Sequence, residues 1–294
     1  MCVQSQQSIP EYRMWLGSAY FDESLDADIE ERCFTVAGFM GPPEPLLLLD
    51  MVWSDNLTNW KMSRFKASEL ELGFGCFAQY RDDPLDLTKP LSQREKDLIR
   101  EIKTSFVDII CEHCSKDGIS GVGATLVLRD LHLFHNQEPD LAQRLPNAYT
   151  ICGDLMLLEA GNAMALSNER RSAQPRGIMQ PVFDIQAEYG PRFLEGFPDF
   201  VKKNPLSSKF LKPPMFEPEE KYKCLQAADL LAYESRKLLI NSLYDKDRLE
   251  RVAMTRLRDH VDRIYQLDYE NLKMIAESQR NDFIPIEPKI NNRQ

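Results

Sequence analysis

Three carboxylates in this chain occupy positions where ionisation is unfavourable, and they define the chemistry to look for. Asp229 lies in Leu225-Gln226-Ala227-Ala228-Asp229-Leu230-Leu231-Ala232-Tyr233, where Ala and Leu on nearly every side imply a buried helix. An ionised Asp there costs several kcal/mol unless it is paired, hydrogen-bonded or metal-bound. Gln226, three residues earlier, and Tyr233, four later, share its helix face. The competing reading is a structural Asp satisfied by an Arg or a helix N-terminus. Asp22 follows an apolar strand, Met14 to Phe21, and Asp184 follows another, Met179 to Phe183. If those strands are parallel neighbours, both carboxylates stand at the carboxyl edge of a sheet, where open α/β sheets place their sites. For each alone, an Asp that starts a turn is the better reading. Together the three point to a site. Carboxylates converging in a low-dielectric cleft repel, and a divalent cation removes that repulsion. Oxygen-only ligands favour Mg²⁺ or Mn²⁺, and two such ions about 4 Å apart can clamp both oxygens of a phosphodiester displacement.

The elements that must position these residues follow from periodicity and punctuation. Met14 to Phe21 and Arg32 to Met40 read as two strands, with a charged loop (Asp22, Glu23, Asp26, Asp28, Glu30, Glu31) between them. Gly41-Pro42-Pro43 ends the second strand, and a helix over about 44–59 follows, with Pro45 tolerable in its first turn. Residues 73–91, with Gly73, Gly75, Pro84 and Pro90, read as loop. Ser92 and Glu95 form a capping box, and Leu98, Ile102, Phe106 and Ile109 recur at helical spacing, so a long helix over about 92–116 precedes Gly118. Then come a strand (Ile119 to Leu128), an apolar helix (Ala148 to Leu166), the strand ending at Asp184, and a helix from Phe193 to Val201. Phe210 and Leu211 suggest a short edge strand before Pro213-Pro214. The helix Tyr222 to Leu243 carries Asp229, and charged helices continue to about Gln279.

The segments Tyr20-Phe21-Asp22-Glu23-Ser24, Phe34-Thr35-Val36-Ala37-Gly38 and Leu225-Gln226-Ala227-Ala228-Asp229-Leu230-Leu231-Ala232-Tyr233-Glu234 resemble a family of bacterial and phage proteins called domain of unknown function 3800. That family has a DE-S-G start and a QxxD finish. The likeness runs from about Trp15 to Lys237. Phe65-Lys66-Ala67-Ser68-Glu69 resembles a family segment of the type FHxxD, and Pro181-Val182-Phe183-Asp184 its strand ending in an acid. The family is grouped with the ribonuclease H-like fold: three antiparallel strands, a helix, a strand parallel to the first, a helix, a strand and a final helix. The resemblance therefore implies Asp22 on strand one, Asp184 on strand four and Asp229 on the last helix, as metal-binding acids. It also implies supporting roles for Glu23, Ser24 and Gln226. Glu69 is a candidate fourth metal ligand, against a solvated charge on a loop. Two departures stand out: Leu25 replaces the usual Gly, and Lys66 stands where many members have His. A protonated Lys cannot ligate a metal, although it can hold a phosphate.

Composition bounds what else the chain can be. Its 294 residues carry 36 Lys+Arg and 46 Asp+Glu, a net charge of −10, which argues against polyanion binding through the whole surface. A metal site or a local basic patch remains compatible with nucleic acid. Lys202, Lys203, Lys209, Lys212, Lys221 and Lys223 are diluted by Asp199, Glu217, Glu219 and Glu220, so a solvated surface is the default reading; in a nuclease this is where backbone contacts would be sought. Uninterrupted apolar runs are as short as Leu46 to Leu49, so no membrane span is expected, and the N-terminus has no signal-peptide pattern. Seven scattered cysteines indicate reduced thiols and a cytoplasmic setting. A zinc reading of Cys111, Cys114, His132 and His135 fails, because a strand of about 30 Å separates the two pairs. No phosphate-binding loop, dinucleotide fingerprint or GxSxG elbow is present.

The expectation is an α/β protein with a ribonuclease H-like mixed sheet flanked by helices. It comprises a domain over 13–243 with inserted helices at about 44–116, a C-terminal helical extension over 244–280, and a poorly ordered tail over 281–294. The expected function is divalent-metal-dependent phosphodiester hydrolysis of nucleic acid, DNA and RNA being equally open, with water as nucleophile and Mg²⁺ or Mn²⁺ as cofactor. The alternative is a non-catalytic interaction module of a phage-defence or mobile-element system. Sequence sets no oligomeric state.

Overall fold

The computed structural model describes residues 16–25, 33–170, 177–244, 251–278 and 290–291. Strands β1 (Leu16–Leu25) and β2 (Cys33–Gly41) pair antiparallel. Their register allows a close approach at Gly38, where any Cβ would strike the Tyr20 carbonyl. Pro42 and Pro43 then open α1 (Pro43–Asn59), at a position where a missing N–H leaves no helical bond unmade. A short helix, α2 (Ala67–Leu72), and a 3-10 turn (Gly75–Tyr80) occupy the segment before α3 (Gln93–Asp117). The Ser92–Glu95 capping box forms at the start of α3, and Gly118, at φ 73°, closes it in the left-handed region. Strand β3 (Ser120–Val127) leads into α4 (Leu128–Gln137), α5 (Pro139–Ala142) and α6 (Ala148–Arg170). The chain continues through β4 (Ile178–Asp184), α7 (Gly190–Lys203), α8 (Pro205–Ser208), β5 (Met215–Glu217) and α9 (Lys223–Tyr244). After α10 (Val252–Leu257) come β6 (Val261–Leu267), α11 (Tyr269–Ser278) and β7 (Ile290–Asn291).

The strands form one mixed sheet in the order β5-β4-β1-β2-β3-β6-β7. β1, β2 and β3 make an antiparallel meander. β4 runs parallel to β1, β5 parallel to β4, and β6 parallel to β3. The architecture is therefore α/β, with helices on both faces. Alternation along β1 sends Ala19 and Phe21 into the core beneath α6, together with Phe34, Val36 and Phe183. On the other face Ala37 and Phe39 pack with α1, the segment before α2, α3 and α9 through Trp53, Phe65, Phe106, Ala227 and Leu230. Ala227 and Ala228 are fully buried, and their small side chains let α9 lie close across β1 and β2.

Several expectations need correction. β1 runs on to Leu25, paired with Phe34, so Asp22, Glu23 and Ser24 belong to the strand and not to the charged loop. The loop acids from Asp26 to Glu31 lie outside the described residues, as do Met14 and Trp15. Leu211 makes only an isolated bridge to Met179, and the edge strand forms beyond Pro213-Pro214, as β5. Prolines lack the N–H that a ladder needs. The C-terminal extension is not all helical: β6 adds to the open edge of β3, burying Val261, Ile264 and Leu267. Its strand character was hidden by Arg263, whose charge is met by Glu159 at 3.1 Å. The tail lies largely outside the described residues, and its Ile290 and Asn291 pair with β6. Among the described residues no helix is long and apolar enough to cross a membrane.

Candidate functional site

The site is assembled where β4 ends. Phe21 and Phe183 are partners across parallel β1 and β4, and their rings meet at 5.1 Å on the α6 side. The pleat therefore turns the next residues, Asp22 and Asp184, toward the α9 side. There α9 presents Asp229, one turn beyond Gln226. Asp22 is 1% exposed and Asp229 3%, so both carboxylates are withdrawn from water.

A single ammonium joins them. Lys66 Nζ lies 3.1 Å from Asp22 Oδ2 and 2.9 Å from Asp229 Oδ1, with Glu219 Oε2 at 3.9 Å. Lys66 is the residue that opens α2, and the next backbone N–H, that of Ala67, donates to Asp229 Oδ2 at 2.6 Å. The other oxygen of Asp22 accepts the Glu23 N–H at 2.7 Å.

Five carboxylates, those of Asp22, Glu23, Asp184, Glu219 and Asp229, thus share the field of one ammonium. Burial, opposed by Lys66 and reinforced by Glu23, Asp229 and Asp184, holds the Asp22 carboxyl well above its ordinary range. Burial lifts Glu23 to about 7 against Lys66. It lifts Glu219 to about 7 in the same way, with Asp229 and Asp184 adding to the effect. Asp184 is raised by burial too, and it feels both Lys66 and Asp229. The same acids, burial notwithstanding, drive the Lys66 ammonium far upward, so it stays charged. Like charges crowded in a poorly solvated cleft favour protonation or a cation.

The supporting residues take distinct places. Gln226 is fully buried. Its Oε1 accepts from Trp53 Nε1 at 3.1 Å and from the Phe65 N–H at 2.9 Å, while its Nε2 donates to the Glu219 carbonyl at 3.2 Å. Its amide thus ties three segments to α9, which makes Gln226 a positioning residue. Ser24 Oγ accepts from Arg236 Nε at 2.9 Å, and that guanidinium stacks on the Tyr233 ring at 5.1 Å. Glu23 accepts from the Gln186 side chain, on the segment that follows β4. Glu69 is set apart: it sits in α2, buried and not solvated, and is paired with Arg64 instead of facing Asp22. Gly75, at φ 59°, leaves the room that the Glu69 carboxylate fills.

Two participants were not anticipated. Glu219, read from sequence as one of several charges diluting a lysine cluster, lies under Lys66 and Arg64, the latter 3.4 Å away. Its Oε2 has no hydrogen-bond partner among the described residues. Nothing in Pro218-Glu219-Glu220 distinguishes it from its neighbours. Tyr149, on α6, is 2% exposed; its hydroxyl has no hydrogen-bond partner among the described residues and feels Glu23, Asp22 and Asp184.

As donors, these acids suit a hard divalent cation: all are oxygens, they outnumber their counter-ions, and one buried oxygen lacks a hydrogen bond. Among the described residues, however, no group of three or more His, Cys, Asp or Glu is disposed to hold a metal ion in this conformation. The Lys66 ammonium stands between Asp22 and Asp229 instead. Comparison with protein-family models and with curated proteins finds no match to this chain.

Proposed function

We propose that this chain is a divalent-metal-dependent phosphodiester hydrolase acting on nucleic acid, built on a ribonuclease H-like core and related to the domain of unknown function 3800 family. The observation that carries the reading is that Asp22 and Asp229, 207 positions apart in the sequence, close on one cation beside Asp184. The strand order β5-β4-β1-β2-β3 supports the fold reading, since three antiparallel strands followed by two parallel to the first is the order expected of that fold. The placement of acids on β1, β4 and α9 supports it further.

In this reading Asp22, Asp184 and Asp229 would hold Mg²⁺ or Mn²⁺, which when bound supplies Lewis acidity and an activated water. The chain's own residues do the rest. The Ala67 N–H orients Asp229, Gln226 fixes the helix that carries it, and Lys66, once released, offers a positive charge to a phosphate. Arg64 adds a second positive charge at the partly exposed rim.

The test is a cleavage screen on single- and double-stranded DNA and RNA with and without Mg²⁺ or Mn²⁺, with Asp229→Asn as control. Metal-dependent products from wild type alone are expected. The alternative, a non-catalytic interaction module that keeps its acids for structure, reads the same Lys66 contacts as a structural ion-pair network. It is the reading left if no substrate is cut and neither metal raises the melting temperature.

A further inference from the structure

Resting on the metal-dependent reading above, we propose that Lys66 is a tethered cation that competes with the divalent metal for Asp22 and Asp229. Metal would then enter only as the ammonium swings out. The contacts are direct, at 3.1 Å to Asp22 and 2.9 Å to Asp229. Two cations cannot share that space without strong repulsion in a poorly solvated cleft. The two occupants therefore exclude one another, and each lowers the apparent affinity of the site for the other.

The surroundings allow the exchange. The Lys66 side chain is 26% exposed, against 0% for Asp22 and 5% for Asp229, so it has a route to solvent that the carboxylates lack. The backbone need not move. Downstream in α2, Glu71 is held by Lys103 at 2.6 Å and Arg251 at 2.7 Å. Asp229 keeps its orientation when Lys66 leaves, because the Ala67 N–H still binds its Oδ2. The charged groups around the ammonium are the acids Asp22, Asp229, Glu219, Asp184 and Glu23, with Arg64 beyond Glu219. Removing Lys66 thus leaves an acid cluster without its central counter-ion, which is what a divalent cation requires.

The test is calorimetric titration of the full chain with Mn²⁺ alone, no substrate present. Lys66→Met keeps the length of the side chain without its charge, and it should bind Mn²⁺ at least about tenfold more tightly than wild type. Lys66→Arg retains a cation and should bind no more tightly than wild type. Adding Asp22→Asn to Lys66→Met should abolish the gain. If Lys66→Met is too unstable to titrate, Lys66→Gln takes its place. Equal or weaker Mn²⁺ binding by the uncharged variant, with wild type binding measurably, overturns the proposal and leaves the metal reading intact. If neither wild type nor the uncharged variant binds Mn²⁺ at millimolar concentration, the metal reading itself falls.

Discussion

At the scale of single residues, Asp229 is where the proposed catalytic role of a buried acid can be separated from a structural one. Asn at this position keeps an oxygen for the Ala67 N–H and loses only the pairing with Lys66, which retains Asp22 and Glu219. Asp229→Asn should therefore stay within about 1–2 kcal/mol of wild type in a urea titration while losing the metal-dependent cleavage proposed above. Asp229→Leu also strands the Ala67 N–H and should lose a further 1–3 kcal/mol or so. An Asn variant as unstable as the Leu variant would assign the carboxylate to the fold. The raised acids make a second prediction. Glu23 and Glu219, ordinarily near 4.5, are lifted to about 7. Between those values the folded chain holds protons that the unfolded chain has released, so stability falls as pH rises through the window. Glu71 acts oppositely: despite burial, Arg251 and Lys103 hold it down to about 2, and its contribution is lost as pH falls below about 4.5. Metal-free stability should therefore decline as pH rises from the ordinary carboxylate range through about 7. Glu219→Gln should flatten the decline, and an unchanged slope in that variant would remove Glu219 from the cluster.

At the scale of elements, α9 is the hub, and Gln226 is its fastening. One side chain joins it to Trp53 of α1, to Phe65 just before α2, and to the Glu219 carbonyl. Gln226→Leu fits the apolar surroundings but strands two buried donors, each worth about 1–3 kcal/mol. A loss of roughly 2–6 kcal/mol is expected by chemical denaturation. A neutral outcome would mean that water replaces the amide. Much of the element pattern was legible locally: the Ser92–Glu95 box, the periodic apolar residues of α3 and the Gly118 stop all lie within one stretch of chain. α2 was not legible. Its Ala, Glu and Leu residues are good helix formers, but six residues ending at Gly73, φ 66°, are too few to form a helix alone, and α2 is held by contacts with α3 and α9.

At the scale of the whole molecule, the C-terminal segment completes the sheet. β6 covers the edge of β3, and its Arg263 and Tyr265 both contact Glu159 of α6, at 3.1 and 2.5 Å. A chain ending at Tyr244 would bare that edge together with the partners of Met254, Leu257, Val261 and Ile264. An unpaired hydrophobic edge strand is an association hazard. The shortened chain should form soluble aggregates or precipitate in size-exclusion chromatography; a stable monomer would show the extension to be dispensable for folding.

What the sequence by itself determined is the set of features whose physics is local. The apolar runs of β1 and β2, the apolar helix carrying Asp229 and the strand that delivers Asp184 all follow from local composition and punctuation. Those same patterns singled out the acids as anomalous. Only the tertiary structure decided how the acids are balanced. Lys66 reaches across 44 positions to Asp22, and the Ala67 N–H across 162 to Asp229. Glu69 turns to Arg64, and Glu219 enters the cluster from an unremarkable charged stretch. The reason is that the energy of a buried charge depends on the charges and dipoles within a few ångström in space. Those partners come from the packing of distant elements, which a residue's neighbours in sequence do not encode.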